Sequence, residues 1–128
     1  MGNGTSIGRV RGLGSAKEGA HHWWQQRLSA GANLILMLWL IVSIALLPVH
    51  DYATLTSWLT QPLVAVPMIL LVVSTFHHFR LGLQVVIEDY MHDVSGIVFR
   101  VLLDFFTLSA GTLAVFSILK IAFTPGAA

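Results

Sequence analysis

The chain has 128 residues, 55% of them apolar and only 10% charged, which excludes a water-soluble globular domain of ordinary composition. Seven Lys and Arg against six Asp and Glu leave a formal charge of +1, too balanced for a nucleic-acid footprint. With no cysteine, the chain can neither ligate an iron-sulfur cluster through thiolates nor build a disulfide framework.

Residues 1–20 hold six of the eleven glycines among polar and basic residues, a composition that predicts a flexible tail ahead of a membrane domain over 21–128. Gly2 to Ser6 fits an N-myristoylation pattern, and Arg9, Arg11 and Lys17 precede any acidic residue as in a transit peptide. A lipid would add little to a chain that already spans a bilayer. The first apolar run begins near Leu28 and ends without a small-residue cleavage site, so it is expected to stay in the mature protein.

Leu28 to Leu47 is an almost unbroken apolar stretch of 20 residues, about 30 Å as a helix and so matched to the hydrocarbon core. Pro48 is expected to mark its end. His50 to Pro62 reads as a short connector without Lys or Arg, where Asp51, Tyr52 and Trp58 suit a headgroup boundary. Further spans are predicted at about 63–87 and 97–123. The former carries His77, His78, Arg80 and Gln84, which lipid alone tolerates poorly; the latter begins with Arg100 and Asp104, spaced to pair on one helix face.

Arg9, Arg11, Lys17 and Arg27 precede the first span and no basic residue follows it in the connector, so the positive-inside rule puts the N-terminus on the cytoplasmic or matrix side. Lys120 alone disagrees. The turn around Glu88 to Gly96 then returns to that inner side, and Trp23 with Trp24 supplies an aromatic belt there. Three helices with polar groups in the second need buried partners, which implies a multi-subunit complex. Small residues at Ser29 to Ala32 and at Ala110, Gly111 and Ala114 offer surfaces for close helix approach.

The segment Phe76 to Asp93 carries the chemistry. Ser74, His78 and Gly82 fall at i−4, i and i+4, so an imidazole stands between small residues on one face, an arrangement suited to axial ligation of haem iron in a helix bundle. His77 points about 100° away and lacks the small pair. The spacing favours His78, with His77 still open, and an interhelical hydrogen-bonding role for both histidines is the alternative. Glu88, Asp89, Tyr90, His92 and Asp93 cluster where helix two meets water, either as a proton and quinone site or as a solvated helix end with an aromatic anchor. Glu88, Asp89 and His92 have metal-ligand spacing, but no second ligand motif accompanies them. Arg27 can reach a haem propionate or simply snorkel to the inner surface. The tail glycines follow no strand and form no dinucleotide fingerprint, so flavin chemistry belongs to another chain.

The stretch His78 to Tyr90 resembles the second-helix signature of the small hydrophobic membrane anchor of succinate dehydrogenase, respiratory complex II. In that family a histidine is followed by glycine at +4 and an Asp-Tyr pair at +11 and +12, matched here by His78, Gly82, Asp89 and Tyr90. The likeness extends through Gly14 to Lys17 and His21 to Trp24 as far as Arg27 and Ser29, and is closest to the alphaproteobacterial and mitochondrial type. It implies an all-α membrane protein of three transmembrane helices, N-terminus cytoplasmic, packed with a second, cytochrome b556-like anchor subunit in a haem-binding bundle. It further implies a haem b shared through His78, a ubiquinone site contacted by Tyr90 with Asp89, and docking of flavoprotein and iron-sulfur subunits that hold the FAD and clusters. The expected place is a bacterial inner membrane, with the mitochondrial inner membrane as second choice. A haem-free structural or assembly protein is the competing expectation.

Overall fold

A computed structural model describes residues 6–7 and 18–124. Most of the glycine-rich tail, including Gly2 to Thr5 of the myristoylation pattern, Arg9, Arg11 and Lys17, lies outside the described residues. The rest forms four helices: α1 (Glu18–Ala45), α2 (Tyr52–Leu59), α3 (Pro62–Tyr90) and α4 (Asp93–Phe123). Three of them, α1, α3 and α4, are long and apolar enough to cross a membrane.

These helices overhang the apolar runs that announce them. α1 begins ten residues before Leu28, because His21 to Arg27 lack hydropathy but carry nothing that breaks a helix. Its 28 residues span about 42 Å, so more than a turn stands clear of a hydrocarbon core about 30 Å thick. The α-helix stops at Ala45, ahead of Pro48, whose ring disfavours helical geometry at Leu47. The His50 ring then caps the end, its Nε2–H donating to the Ile44 carbonyl at 2.9 Å.

The connector is itself partly helical. Asp51 serves as N-cap of α2, its carboxylate accepting the Thr54 N–H at 2.8 Å. Trp58 is buried and stacks on Trp39 of α1, with ring centroids 6.3 Å apart, tying the connector to the first span. The Thr54 hydrogen bonds hold the Asp51 carboxyl below its ordinary value of 3.8. A lowered folded-state value means that the cap supports α2 above the ordinary value and loses its support as pH falls through the lowered one. The protection factors of the α2 amides, taken against the unfolded chain at the same pH, should therefore fall at acid pH. Asp51→Ala should give that low protection at neutral pH and abolish the acid dependence.

Pro62 opens α3 at a first-turn position where a missing N–H costs nothing. Only Met91 and His92 separate α3 from α4, so the two helices are antiparallel neighbours. The reversal needs two unusual residues. Asp93 adopts a left-handed φ of 60°, and a Cβ on Gly96 would lie 2.9 Å from the Met91 carbonyl oxygen. The turn is thus shorter than the Glu88 to Gly96 stretch expected from hydropathy.

The long helices form a layer rather than a closed bundle. α3 is the middle member and packs against both α1 and α4, while α1 and α4 do not pack on each other. Small residues set the second contact: the Phe76 ring of α3 lies over Gly111 of α4, 3.5 Å from where a Cβ would stand. Gly31 on α1, by contrast, faces open space. No large side chain among the described residues is fully buried, and leucines, isoleucines and phenylalanines of every span point outward. Water would not tolerate so large an apolar surface, whereas lipid or further helices would cover it.

Candidate functional site

His78 lies in the body of α3, half-buried against α1. Its Nδ1 is 3.0 Å from the Ser29 hydroxyl, and that hydroxyl donates to the Gln26 carbonyl at 3.1 Å. Ser74, one turn away, donates to the Ser29 carbonyl at 3.5 Å. On the other side of His78, the Gln26 amide nitrogen is 3.5 Å from the position a Cβ would take on Gly82. The small residues that bracket His78 therefore admit α1, not an open slot: the clearance expected for a macrocycle on that face is filled by Gln26 and Ser29. Nε2 of His78 has no hydrogen-bond partner among the described residues. His77 faces outward.

The α1 side of this contact is a polar stripe. His22, Gln26, Ser29 and Asn33 recur at four-three-four spacing, which keeps them on one helix face. His22 Nε2, Gln26 Oε1 and Asn33 Oδ1 are each buried without a hydrogen-bond partner among the described residues. Sequence reading that treated Ser29 only as a small packing residue missed this stripe, although its spacing was visible in the chain.

The opposite side of α3 is tied to α4 by two ion pairs. Arg80 Nε meets Asp104 Oδ1 at 2.6 Å, and Arg100 meets Glu88 Oε1 at 2.5 Å. The expected pairing of Arg100 with Asp104 along one helix does not form, because each finds a stronger partner across the interface. Phe79 and Phe106 extend the same contact with centroids 6.3 Å apart. Gln84 also donates to Glu88 at 3.0 Å, so Glu88 belongs to this clamp.

Asp89 and Tyr90 form the exposed end of α3 beside the reversal, and Tyr90 is 80% exposed. A phenol and a carboxylate that free can meet a bound molecule or a neighbouring chain. His78 and Tyr90 are 12 residues apart on one continuous helix, about 18 Å along its axis. Arg27 is exposed at the start of the apolar part of α1, its guanidinium 5.3 Å from the centroid of Trp23, which also stacks on Trp24. No group of three or more His, Cys, Asp or Glu among the described residues could hold a metal ion by itself, so Glu88, Asp89 and His92 do not make a metal centre.

Three spanning helices in an open layer, with ionisable side chains paired between them and one histidine at their centre, define a multi-pass membrane subunit. The model of the succinate dehydrogenase/fumarate reductase transmembrane subunit family matches residues 1–119. The succinate dehydrogenase hydrophobic membrane anchor subunit of Rickettsia bellii is 35% identical over 87 residues, covering 68% of this chain and 70% of the relative. Its counterpart in Rickettsia conorii is 34% identical over 88 residues, with 68% and 70% covered. The anchor subunit of Paracoccus denitrificans is 28% identical over 108 residues, with 82% and 84% covered. No solved structure matches. The chain belongs to the succinate dehydrogenase/fumarate reductase transmembrane subunit family, on the side of the succinate dehydrogenase hydrophobic membrane anchors.

Proposed function

We propose that the chain anchors a succinate:ubiquinone oxidoreductase in a bacterial inner membrane, with its N-terminus cytoplasmic, ligates haem b through His78, and supplies part of the ubiquinone-reduction site. The observation that carries this reading is the state of the His78 ring, which is held in the middle helix by one nitrogen and leaves the other without a partner among the described residues. A histidine in a membrane span with one ring nitrogen unpartnered fits a b-type haem approached from the Nε2 side, away from the face that Gln26 and Ser29 fill. His78 would hold the group from this chain, and a second ligand is expected from a second, cytochrome b556-like anchor subunit that covers the open layer. When bound, the haem supplies a one-electron carrier within the bilayer.

Tyr90 donates its phenolic O–H to a carbonyl oxygen of ubiquinone at the membrane rim, and Asp89 beside it offers a carboxylate through which protons can reach the reduced ring. Arg27, already oriented by Trp23, retains N–H groups for a haem propionate. Succinate would be oxidised at the FAD of one partner subunit and its electrons passed on through the iron-sulfur clusters of another, and this anchor docks both to the membrane. The competing reading, a haem-free structural or assembly subunit, is favoured by the same Ser29–His78 contact, since a hydrogen bond between helices is a sufficient structural role for a histidine.

Reduced-minus-oxidised spectra of the intact complex decide between them. His78→Ala should abolish or strongly perturb the b-type signal and His77→Ala should preserve it; an unchanged spectrum in His78→Ala rejects the ligand. Tyr90→Phe, which removes one hydrogen bond and no packing, should lower quinone reduction by about tenfold while electron delivery to an artificial acceptor persists. An unaffected quinone rate rejects that role.

A further inference from the structure

Ser29 does more than let α1 approach α3. Its hydroxyl has one proton and two partners: the Gln26 carbonyl at 3.1 Å, which can only accept, and His78 Nδ1 at 3.0 Å, which can accept or donate according to tautomer. Both contacts are hydrogen bonds at once only when the hydroxyl donates to the carbonyl and accepts from Nδ1–H. That arrangement satisfies both, and in it the proton of the second bond comes from the histidine. A neutral imidazole that donates from Nδ1 carries its free lone pair on Nε2.

We infer that Ser29 is the positioning residue for His78: its hydroxyl fixes the tautomer and the ring orientation that present Nε2 as a ligand to iron. The inference rests on the reading of His78 as haem ligand and adds the group that prepares it. Ser29 is only 7% exposed, so water does not readily replace its hydroxyl as the acceptor for Nδ1–H. The Ser74 hydroxyl on the Ser29 carbonyl, at 3.5 Å, ties the same residue to α3 one turn from the ring. His77 makes no hydrogen bond to another described residue, which separates two histidines that are neighbours in sequence.

The hydrogen bond has an electronic consequence. Accepting from Nδ1–H draws that proton away from the ring, makes Nε2 a better electron donor, and favours the oxidised form of a bound iron. Removing the acceptor must therefore raise the reduction potential of the haem, an effect that loosened helix packing alone does not predict with a fixed sign.

Redox titration and electron paramagnetic resonance of the complex purified with its partner subunits test this. Ser29→Ala should retain haem, shift its midpoint potential in the positive direction and alter the low-spin ferric signal. Ser29→Thr, which keeps a hydroxyl, should return both readouts towards those of the unmodified complex, and Ser29→Cys, similar in shape but a weak acceptor, should fall between. Equal potentials in Ser29→Ala and the unmodified complex, or equal shifts in the Ala and Thr variants, overturn the role of Ser29 while leaving the ligand standing if His78→Ala strips the haem. Haem retained by His78→Ala overturns the ligand, and the role of Ser29 with it.

Discussion

Asp104→Leu should sharply reduce the amount of assembled complex in the membrane. Asp104 and Arg80 lie in the interior of two spans and meet at 2.6 Å, so neither charge faces the bilayer alone. Each side chain is nonetheless close to half exposed in the single chain, at 39% for Arg80 and 45% for Asp104, and that open side must be covered by lipid or by another subunit. Deleting the carboxylate leaves a guanidinium that can neither lose its proton nor find another counter-ion among the described residues at that depth. An uncompensated charge in a span costs about 3 kcal/mol, enough to change the folded fraction of a marginal subunit about a hundredfold.

The double variant Arg80→Leu/Asp104→Leu should recover most of the loss, because it removes the stranded charge together with its partner. The Glu88–Arg100 pair sits nearer the reversal, with 46% and 51% exposure on its arginine and glutamate, where water is close. Glu88→Gln should therefore cost under about 1 kcal/mol. Quantitative immunoblotting of membranes, with thermal inactivation of the solubilised complex, reads both effects. Equal assembly of Asp104→Leu and the unmodified chain would mean that the pair does not hold α3 to α4.

The spans themselves were legible because a bilayer imposes length and apolarity on anything that crosses it, and Leu28 to Leu47 satisfies both without reference to neighbours. What hydropathy cannot mark is where a helix continues into water. Gln25, Gln26 and Arg27 are good helix formers with no apolar signature, so α1 runs on to Glu18. Reading His50 to Pro62 as a short connector also leaves out its helix: Asp51 is an N-cap residue type directly ahead of Tyr52 to Leu59, a helix-start signal by itself too weak to mark an eight-residue helix.

The site divided along the same line. His78 stood out because a ring between Ser74 and Gly82 is a local pattern, and the exposed Asp89 and Tyr90 stood out because a helix end is local too. The partner of Asp104 did not, because it depends on the register between helices. A two-residue turn at Met91 and His92 sets Arg80 and Asp104 at nearly equal distances on either side of it, and only the length of that turn decides that they meet. The open layer has the same origin. Periodicity shows that a helix has a face to bury, but not that α3 would take the middle place and keep α1 from α4.

That turn also sits beside the proposed quinone site at Asp89 and Tyr90. Gly96 has no room for a side chain, since a Cβ would come within 2.9 Å of the Met91 carbonyl oxygen, and the obstacle is backbone rather than the tip of a flexible side chain. Gly96→Ala must therefore displace Met91, at a cost of about 1–3 kcal/mol. Met91 directly follows Asp89 and Tyr90, and Asp93, already in a left-handed conformation, cannot absorb the shift without further strain. Moving a phenol by a fraction of an ångström at a site that depends on one oriented hydrogen bond should lower quinone reduction about tenfold. The b-type spectrum should not change, because about 18 Å of intact helix separates Tyr90 from His78. A Gly96→Ala complex that reduces quinone as fast as the unmodified complex would show that the reversal does not position Tyr90, whatever Tyr90→Phe reveals about the phenol itself.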